Sequence, residues 1–565
     1  MAQLVIPKTL ESRETGDLVS FFKNYDDIVQ RNSGIHDSKC LTIDCLEPQC
    51  PIPEGTYTKI KLTDESVDVV NLDKSWISMK VKARLKYSMS TDIRSEDIEP
   101  GQYEAIGHCV FVGLKSSSHI IGSYRILNAN RKTGCEQTQA LYENAVVHFL
   151  KPEEEIQGRP NIYTPWENAF HHDESVCGVY IPDFVSSEHP FWPMTANYER
   201  DIEFDLTIPM DDILPLSNIS MYPNYLFGNL QMEFKTTSKK NFVWCFVSHK
   251  DAYYANDLAD FKKLHTTEMS YYDKMINKCF YQCRDDTMMV PMFMRGIWYD
   301  AETPERVVKI YSHPVDVSVS IDKLEVIECQ SNINGFKIKD SVKAQLFEKY
   351  SKQKLVIPSQ FIDSQQANSG PRGMALQTST SYTLTNVTNI CVTFPRTIDE
   401  LTVSRNPRLT AFQLSVDNKP YPEQVGSTTS ARYCEYVLAN SYLDNLWCAN
   451  KSLLFSLKNR QHEFDVYDGY LLGRDNTNYC FNAATERLCS GAGIYCDGLS
   501  KDISIIRLLG TIEDGSSYGP ESWRSSPAPH IFFVQTTFWV CSAGGVEYIM
   551  NDDGFLQSQI HEDEN

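Results

Sequence analysis

The stretch ISMKVKARLKYSM, residues 77–89, alternates apolar and polar side chains at every position. In an extended backbone successive side chains point to opposite faces, whereas a helix would spread the same residues around its axis. The apolar residues therefore share one face of a single long strand, and the polar residues share the other. The stretch predicts a half-buried β-strand with one face in a core and one face toward solvent.

The same alternation occurs twice more along the chain. Ile202–Met210 repeats it in the first half, and Val315–Ile321 repeats it in the second half. The chain also has 30 Tyr and 27 Phe, and aromatic residues favour sheets. Because 565 residues are too many for one hydrophobic core, the pattern predicts two large β-domains in tandem.

The order of these signals divides the chain into five segments. Residues 1–60 are predicted as an N-terminal arm, 61–250 as the first β-domain and 251–300 as a connector. Residues 301–545 are predicted as the second β-domain and 546–565 as an acidic tail.

Two short helices are predicted inside the β-domains. In the first, Thr133 and Glu136 form a capping-box pattern that opens a helical stretch. In the second, Val342, Leu346 and Tyr350 recur at helical spacing and form one apolar stripe.

The chain is strongly acidic. Its formal net charge is −21 at pH 7, and no cluster of Lys or Arg offsets it. A surface of this charge repels polyanions, which argues against direct wrapping of nucleic acid. The first residues lack the basic start and apolar run of a secretory signal, and no stretch has the roughly 18 to 20 apolar residues that span a bilayer. We expect a protein that is made in the cytosol and has no membrane span.

The cysteines and histidines do not form a recognisable metal motif. The 17 cysteines are mostly scattered singly in apolar segments, as is typical of small buried hydrophobes in a reducing compartment. Cys40, Cys45 and Cys50 are five residues apart, which does not match the C-x2-C pairs of structural zinc sites. The run 171–173, HHD, has no third ligand at helical spacing. We therefore expect no metal site.

The catalytic motifs that sequence can reveal are also missing. Gly515–Gly519 matches G-x-S-x-G around Ser517, but a nucleophile elbow needs a strand before the serine and a helix after it, and both flanks are loop-like here. The chain has no G-x4-GK[ST] phosphate loop and no HExxH motif. The paired carboxylates of a glycosidase meet only on folding and leave no sequence pattern. The sequence favours a protein that is not an enzyme and binds no cofactor.

Five segments narrow the kind of β-domain. The first half contains IGHCVFVGLKSSSHIIGSY (106–124) and RDIEFDLTIPMDDILPLSNISMYPNYLFGNLQMEFKTT (200–237). The second half contains KLVIPSQFIDSQ (354–365), TNICVTFPRTIDELTVSRNPRLTAFQLSVDNKPYPEQ (388–424) and PHIFFVQTTFWVCSAGGVEYIM (529–550).

This arrangement resembles the double jelly-roll major capsid proteins of eukaryotic double-stranded DNA viruses, of the polinton, adintovirus and virophage kind. In the first half the resemblance rests on the turn that begins at Ile208 and on the strand start at Phe227. In the second half it rests on the Phe394-Pro395 turn, the Asn406–Pro420 hairpin and the terminal aromatic strand.

The resemblance implies an all-β fold of two tandem eight-stranded jelly rolls, with short inserted helices and an N-terminal arm. It also implies a homotrimer that forms a pseudo-hexagonal capsomer. Capsomers would tile an icosahedral shell around a double-stranded DNA genome, beside single jelly-roll penton proteins and cement proteins. The protein would be found in the virion, after assembly in the host cytoplasm or nucleus.

A permanent trimer needs large apolar anchors at its interfaces. The candidates are aromatic residues in loop-like segments: Trp166, Phe170, Phe191, Trp192, Trp298 and Tyr299. For each of them the alternative is that the ring packs into its own domain.

Two other function classes stay open on the sequence alone. A spike, fibre or carbohydrate-binding host-attachment protein would need an exposed aromatic groove and would not tile. A β-sandwich enzyme that processes glycans is the third candidate.

Overall fold

The computed structural model describes residues in both halves of the chain. The described residues are 35–91, 102–105, 108–114, 116–128, 133–138, 140, 177–182, 195–248, 280–283, 287–299, 306–366, 375–384, 386–393, 409–426, 480–485, 500–509, 529–542 and 545–549. Every strand pairing among them is antiparallel.

Strands dominate these residues. The strands up to the middle of the chain are β1 Ile35–Asp44, β2 Ile52–Pro53, β3 Tyr57–Lys61, β4 Val69–Asn71, β5 Trp76–Thr91, β6 Gln102–Ala105, β7 His108–Gly113, β8 Ile121–Leu127, β9 Thr133–Gln137, β10 Gly178–Pro182, β11 Thr195–Pro209, β12 Met221–Tyr222, β13 Gln231–Thr236, β14 Val243–Ser248, β15 Phe280–Gln282, β16 Thr287–Tyr299 and β17 Arg306–Ile338. The later strands are β18 Leu355–Gln366, β19 Ala375–Thr383, β20 Val387–Thr393, β21 Leu409–Val416, β22 Lys419–Gly426, β23 Cys480–Ala484, β24 Ser500–Leu509, β25 His530–Ser542 and β26 Gly545–Ile549.

Helices are few and short among the described residues. The α-helices are α1 Asn224–Phe227 and α2 Asp340–Lys352. The 3-10 turns are Leu72–Lys74, Ser117–Ile120, Met210–Asp212, Leu214–Leu216 and Lys239–Asn241.

Strand β5 buries the apolar face that its alternation predicts. Ile77, Val81 and Leu85 are fully buried, whereas the Lys and Arg residues between them are partly or largely exposed. Strand β11 pairs with β5 along its whole length and places Phe204 opposite Val81, so its buried residues lie on the same face. The half-buried strands predicted from these two stretches are confirmed.

The second half of the chain has the strand order of a jelly roll. One sheet runs β18-β25-β20-β23 and the other runs β19-β24-β21-β22. Strands β18 to β21 alternate between the two sheets, and the late strand β25 returns to pair with β18. The sheets meet face to face where the ring of Tyr382 on β19 stacks on Phe533 of β25 at 3.7 Å. Eight strands connected in this way form a jelly roll.

The first half repeats three pairings of that order. Its first strand β3 pairs with the late strand β13, as β18 pairs with β25. Strand β13 pairs in turn with β8, as β25 pairs with β20. In the facing sheet β5 pairs with β11, as β19 pairs with β24. The predicted all-β class with tandem jelly rolls is therefore confirmed.

The 33-residue strand β17 is the largest difference from the sequence-based division. The pattern at Val315–Ile321 predicts the opening strand of the second β-domain. In the structure β17 instead pairs with β5 over residues 315–332 and with β16 over residues 306–318. Strand β16 lies inside the predicted connector, and β1, β2 and all but the last residue of β3 lie inside the predicted arm. The sheet of the first half therefore gains strands from both neighbouring segments.

Two bulges keep the apolar residues of β17 facing the core. Val317, Val319 and Ile321 are buried at odd positions. The register with β5 then shifts between Ile321 and Lys323, and burial moves to the even positions 324 and 326. A second shift between 326 and 328 returns burial to the odd positions 329, 331 and 333. At each shift β17 has one extra residue, as in a β-bulge, so the side chains that follow point to the opposite face of the sheet.

Of these two predicted helices, one is confirmed and the start of the other is wrong, whereas a third stretch of helical character, SARYCEYVLANSYLDN (430–445), lies outside the described residues. Val342, Leu346 and Tyr350 are buried on one side of α2, as their spacing predicts. Thr133 and Glu136 do not cap a helix, because they lie on β9, which pairs with β8 and buries Cys135. Burial and ladder hydrogen bonds outweigh the local capping signal there. The remainder of this predicted helix, residues 141–149, lies outside the described residues.

The predicted hairpin that ends at Pro420 is formed by β21 and β22. Asp417 and Asn418 connect these strands with positive φ angles of 47° and 64°. Two consecutive residues in the left-handed region form a type I′ turn, whose twist matches that of the strands, and Asp and Asn tolerate this conformation.

Truncation of Leu85 tests the buried face of β5. We expect Leu85→Ala to lower the free energy of unfolding by about 2–5 kcal/mol, because it leaves a cavity at a fully buried position. The matched variant Lys82→Ala changes the solvent face of the same strand and should cost under about 1 kcal/mol. Denaturant titration measures both. Equal losses would contradict the assignment of faces.

Candidate assembly surface

One backbone carbonyl of the first half accepts two hydrogen bonds from the second half. Pro215 lies in the 3-10 turn Leu214–Leu216, which follows β11. Its oxygen accepts hydrogen bonds from Trp539 Nε1 at 2.6 Å and from Ser359 Oγ at 2.9 Å. Both donors belong to the second jelly roll and both are buried. A loop of the first half is therefore held by two strands of the second.

Further contacts extend this junction. The ring of Phe227 packs edge-on against Tyr350 at 5.9 Å. Gln137 Nε2 donates to the carbonyl of Ile362 at 2.9 Å, and Asn128 Nδ2 donates to the carbonyl of Val546 at 3.1 Å. Apolar residues of β18, β25 and β26 belong to the same hydrophobic core as those of the first half. One face of β18 and β25, together with β26, thus packs into the core of the first half.

The junction excludes water. Tyr222 is buried, and its hydroxyl donates to the carbonyl of Gly228 at 2.9 Å. Burial raises the pKa of Tyr222 well above its usual value, with a smaller contribution from Cys541. Burial also raises the pKa of Cys541. Both groups stay neutral, which suits a permanent contact between the halves.

The outer face of β5 carries a ladder of opposite charges. Arg84 Nε lies 2.8 Å from Asp201 Oδ1, and Lys82 Nζ lies 3.4 Å from Glu203 Oε1. Lys86 reaches Glu199 on one side and Asp322 on the other, at 3.4 and 3.3 Å. The hydrogen bond between Arg84 and Asp201 raises the pKa of the guanidinium and lowers that of the carboxyl.

These exposed pairs contribute little stability, but they neutralise the face locally. The lysines and arginine of β5 lie between acidic residues on β11 and β17. The face is therefore polar, and neither positive nor negative charge dominates it. Such a surface resembles the polar rim of an interface and not its apolar core.

Two large apolar side chains are exposed among the described residues. Tyr57 is 50% exposed at the start of β3, and Phe347 is 54% exposed on α2. The sequence analysis did not select either of them. Phe347 follows Leu346 but does not belong to the apolar stripe of α2. A large apolar residue outside the buried stripe of a helix is exposed, and this sequence signal could have identified Phe347.

The predicted interface residues are only partly covered by the described chain. Trp166, Phe170, Phe191 and Trp192 lie outside the described residues. Trp298 and Tyr299 lie on β16, where their backbones pair with Val307 and Arg306, and not in the loop that the sequence predicted. The neighbouring strand β17 gives them a regular sheet position. Their role in an interface stays a prediction.

A groove of about 510 Å³ lies between β3, β8 and β13. Glu233 in its wall contacts Arg125 and lies 3.6 Å from Lys59 Nζ. Glu47 also lines the groove, so two carboxylates face two cations and the formal charges of the lining balance.

Metal-binding clusters and membrane-spanning helices do not occur in the described part of the chain. No group of three or more His, Cys, Asp or Glu side chains there has a geometry that could hold a metal ion. None of the helices in those ranges combines the length and hydropathy of a membrane span. The run 171–173 and the segment Gly515–Gly519 both lie outside the described residues.

A histidine is buried in the second jelly roll. His530 is 1% exposed on β25, and its ring lies 4.8 Å from that of Phe532. Burial lowers the pKa of His530 to about 4, because an apolar setting disfavours the charged imidazolium.

Comparisons with known proteins give matches among solved structures alone. No protein-family model matches the chain, and no curated protein matches it. The chain is similar to a chain of the cryo-EM structure of the Sputnik virophage, with a TM-score of 0.43 and 8% identity over 92% of this chain and 89% of that one. It is similar to the mavirus major capsid protein, with a TM-score of 0.42 and 10% identity over 93% of each chain. For the Faustovirus major capsid protein the TM-score is 0.40, with 7% identity over 91% of each chain.

The shared acceptor at Pro215 predicts coupling between its two donors. Trp539→Phe and Ser359→Ala should each cost about 1–3 kcal/mol of unfolding free energy. The double variant should cost more than the sum of the two, because only then does the buried carbonyl lose both partners. Denaturant unfolding of the four proteins measures this coupling. Strictly additive losses would contradict a shared acceptor.

Acid should destabilise the protein through His530. The folded state keeps the ring neutral down to about pH 4, whereas the unfolded chain takes up a proton below its ordinary pKa of 6.5. Stability is therefore lost as the pH falls from 6.5 toward 4, by up to about 3 kcal/mol. His530→Gln should remove this part of the pH dependence. Thermal unfolding of both proteins at several pH values would contradict the assignment if the two profiles were parallel.

Proposed function

We propose that this chain is a major capsid protein, the subunit of an icosahedral shell that encloses a double-stranded DNA genome. The observation that carries the proposal is the strand order repeated in the two halves, with β3-β13-β8 in the first and β18-β25-β20 in the second. The jelly roll is a recurrent fold of viral capsid domains. Two of them in one chain, fixed side by side, make a wide and rigid building unit.

The junction supports the geometry that such a unit needs. Three protomers around a threefold axis present six similar lobes only if the two lobes of each protomer keep a fixed relation. The bonds of Trp539 and Ser359 to Pro215, together with the packing of β18, β25 and β26 into the core of the first half, hold that relation. A pseudo-hexagonal trimer built in this way can tile a flat facet.

The contacts between protomers belong to the proposal as well. We assign the strands from β3 to β14 to the first jelly roll, whose sheet β16 and β17 complete, and the strands from β18 to β25 to the second. The anchors are the aromatic residues predicted from the sequence: Trp166, Phe170, Phe191, Trp192, Trp298 and Tyr299. Neighbouring capsomers, penton proteins and cement proteins are the partners that this proposal implies.

The charge of the chain supports a protein that surrounds DNA and does not wrap it. A formal net charge of −21 repels the phosphates of a packaged genome, so the protein would enclose DNA without neutralising it. We propose that it acts without catalysis or cofactor, that it resides in the virion and that assembly takes place in the host cytoplasm or nucleus.

Mass measurement and electron microscopy of the purified full chain test this function. We expect a particle of three times the 64.6 kDa chain mass in light scattering, and six-lobed projections in negative stain. Trp298→Ala should shift the population toward monomer, whereas Lys82→Ala, on the charged face of β5, should not.

Three outcomes would contradict the proposal. A monomer at micromolar concentration would exclude the permanent trimer. A discrete trimer that never tiles but binds a glycan array would favour a host-attachment protein. Turnover of a polysaccharide would favour a glycan-processing enzyme.

A further inference from the structure

Three cysteines from distant parts of the chain meet beside β17. Cys45 directly follows β1, Cys50 lies just before β2, and Cys329 lies on β17. The sulfur atoms of Cys45 and Cys50 are 3.7 Å apart, and the amide of Cys45 donates to the carbonyl of Cys329 at 3.0 Å. Cys45 and Cys329 are buried, whereas Cys50 is half-buried. The spacing of five residues, which does not match a zinc motif, brings two thiols into contact.

The surroundings of Cys45 favour its thiolate. A hydrogen bond from the Cys329 thiol is the largest cause that lowers the pKa of Cys45, to about 6, and contacts with Cys50 and Thr58 add to it. Burial raises the pKa of Cys50, and the bond to Cys45 together with burial raises that of Cys329. The cluster therefore favours the thiolate at Cys45 and the protonated thiol at Cys50 and Cys329.

We propose that Cys45 and Cys50 are an oxidation site, at which a small-molecule disulfide converts the two thiols into an intrachain disulfide. The inference stands on the cluster itself and is independent of the proposed function. Glutathione disulfide has the chemistry of the oxidant.

The reaction proceeds by thiol–disulfide exchange. The Cys45 thiolate attacks one sulfur of the small disulfide, whose S–S bond breaks and releases one thiolate. Cys50 then attacks the Cys45 sulfur of the mixed disulfide, loses its proton and releases the second small thiol. Two protein thiols are oxidised, and one small disulfide is reduced to two thiols.

The position of the thiols selects Cys50 as the partner of Cys45. Of the four residues between them, 47–49 are exposed and belong to a surface turn. That turn can adjust as the sulfur atoms close from 3.7 Å to the roughly 2.05 Å of a disulfide. Cys329 lies on a strand that is paired on both sides, with Met79 of β5 opposite it, so its backbone cannot adjust in the same way. Cys329 is a positioning residue that acts through the Cys45 sulfur.

The disulfide would fix the N-terminal strand in place. The ring from Cys45 to Cys50 closes the turn that joins β1 to β2, and both strands pair with β17. A covalent bond across this turn limits the separation of β1 from the sheet, since it removes conformations from the open state.

Peptide mapping of the native full chain tests the site. Trypsin releases residues 40–59, CLTIDCLEPQCPIPEGTYTK, which contain Cys45, Cys50 and the exposed Cys40 as an internal control. After treatment with glutathione disulfide, denaturation and alkylation with iodoacetamide, we expect this peptide to lack two hydrogens and to carry no alkyl group on Cys45 or Cys50. Fragment ions locate the bond.

Single variants separate the roles of the three thiols. Cys50→Ser should trap glutathione on Cys45, because the resolving thiol is missing. Cys45→Ser should leave Cys50 unmodified. Cys329→Ala should slow modification of Cys45 at pH 7 at least about tenfold and move the midpoint of its pH–rate profile upward.

Two results on the wild-type protein would overturn the site. One is full alkylation of both Cys45 and Cys50 under conditions in which Cys40 takes up glutathione. The other is a bond between peptide 40–59 and peptide 324–337, which contains Cys329. Both results are read on unmutated protein, so a variant that fails to fold does not affect them.

Discussion

The pairing of one long strand holds the first half of the molecule together. Strand β17 is hydrogen-bonded to β1, β2, β4 and β5, which lie far earlier in the chain within residues 35–91, and to β16, which directly precedes it. Ordering it requires the closure of long loops, and the burial of its apolar face offsets this entropic cost. A slip of one residue would turn Val319 and its buried neighbours toward solvent, so the core fixes the register.

The two halves depend on each other in a different way. Ladder hydrogen bonds build each sheet, but a single proline carbonyl, two buried donors and the packing of β18, β25 and β26 into the core of the first half fix one half against the other. Pro215 has no N–H of its own to satisfy, and its oxygen uses both of its lone pairs across the junction. The thiol cluster is a third kind of long-range contact, since β17 brings Cys329 beside a turn nearly three hundred positions earlier in the chain.

Much of the strand content could be predicted because its signal is local. The alternation of Ile77, Val81 and Leu85 survives in the structure without change, as does the stripe on α2. The prediction was wrong at Thr133, where a capping pattern lies on a strand, since local propensity is weak against burial. It also missed the bulges of β17. The alternation breaks after Ile321, and such a break indicates a bulge only once the partner strand is known.

The sequence by itself determined which side chains turn inward, because the two-residue period of a strand is a property of neighbouring residues. It also determined that the chain has two β-rich halves. Only the tertiary structure decided that β17 joins the sheet of β5, that Pro215 receives Trp539 and Ser359, and that Cys45 meets Cys50 beside Cys329. These contacts join residues that are far apart in the chain. The summed burial and hydrogen bonding of whole sheets select each partner, and no local sequence pattern encodes that selection.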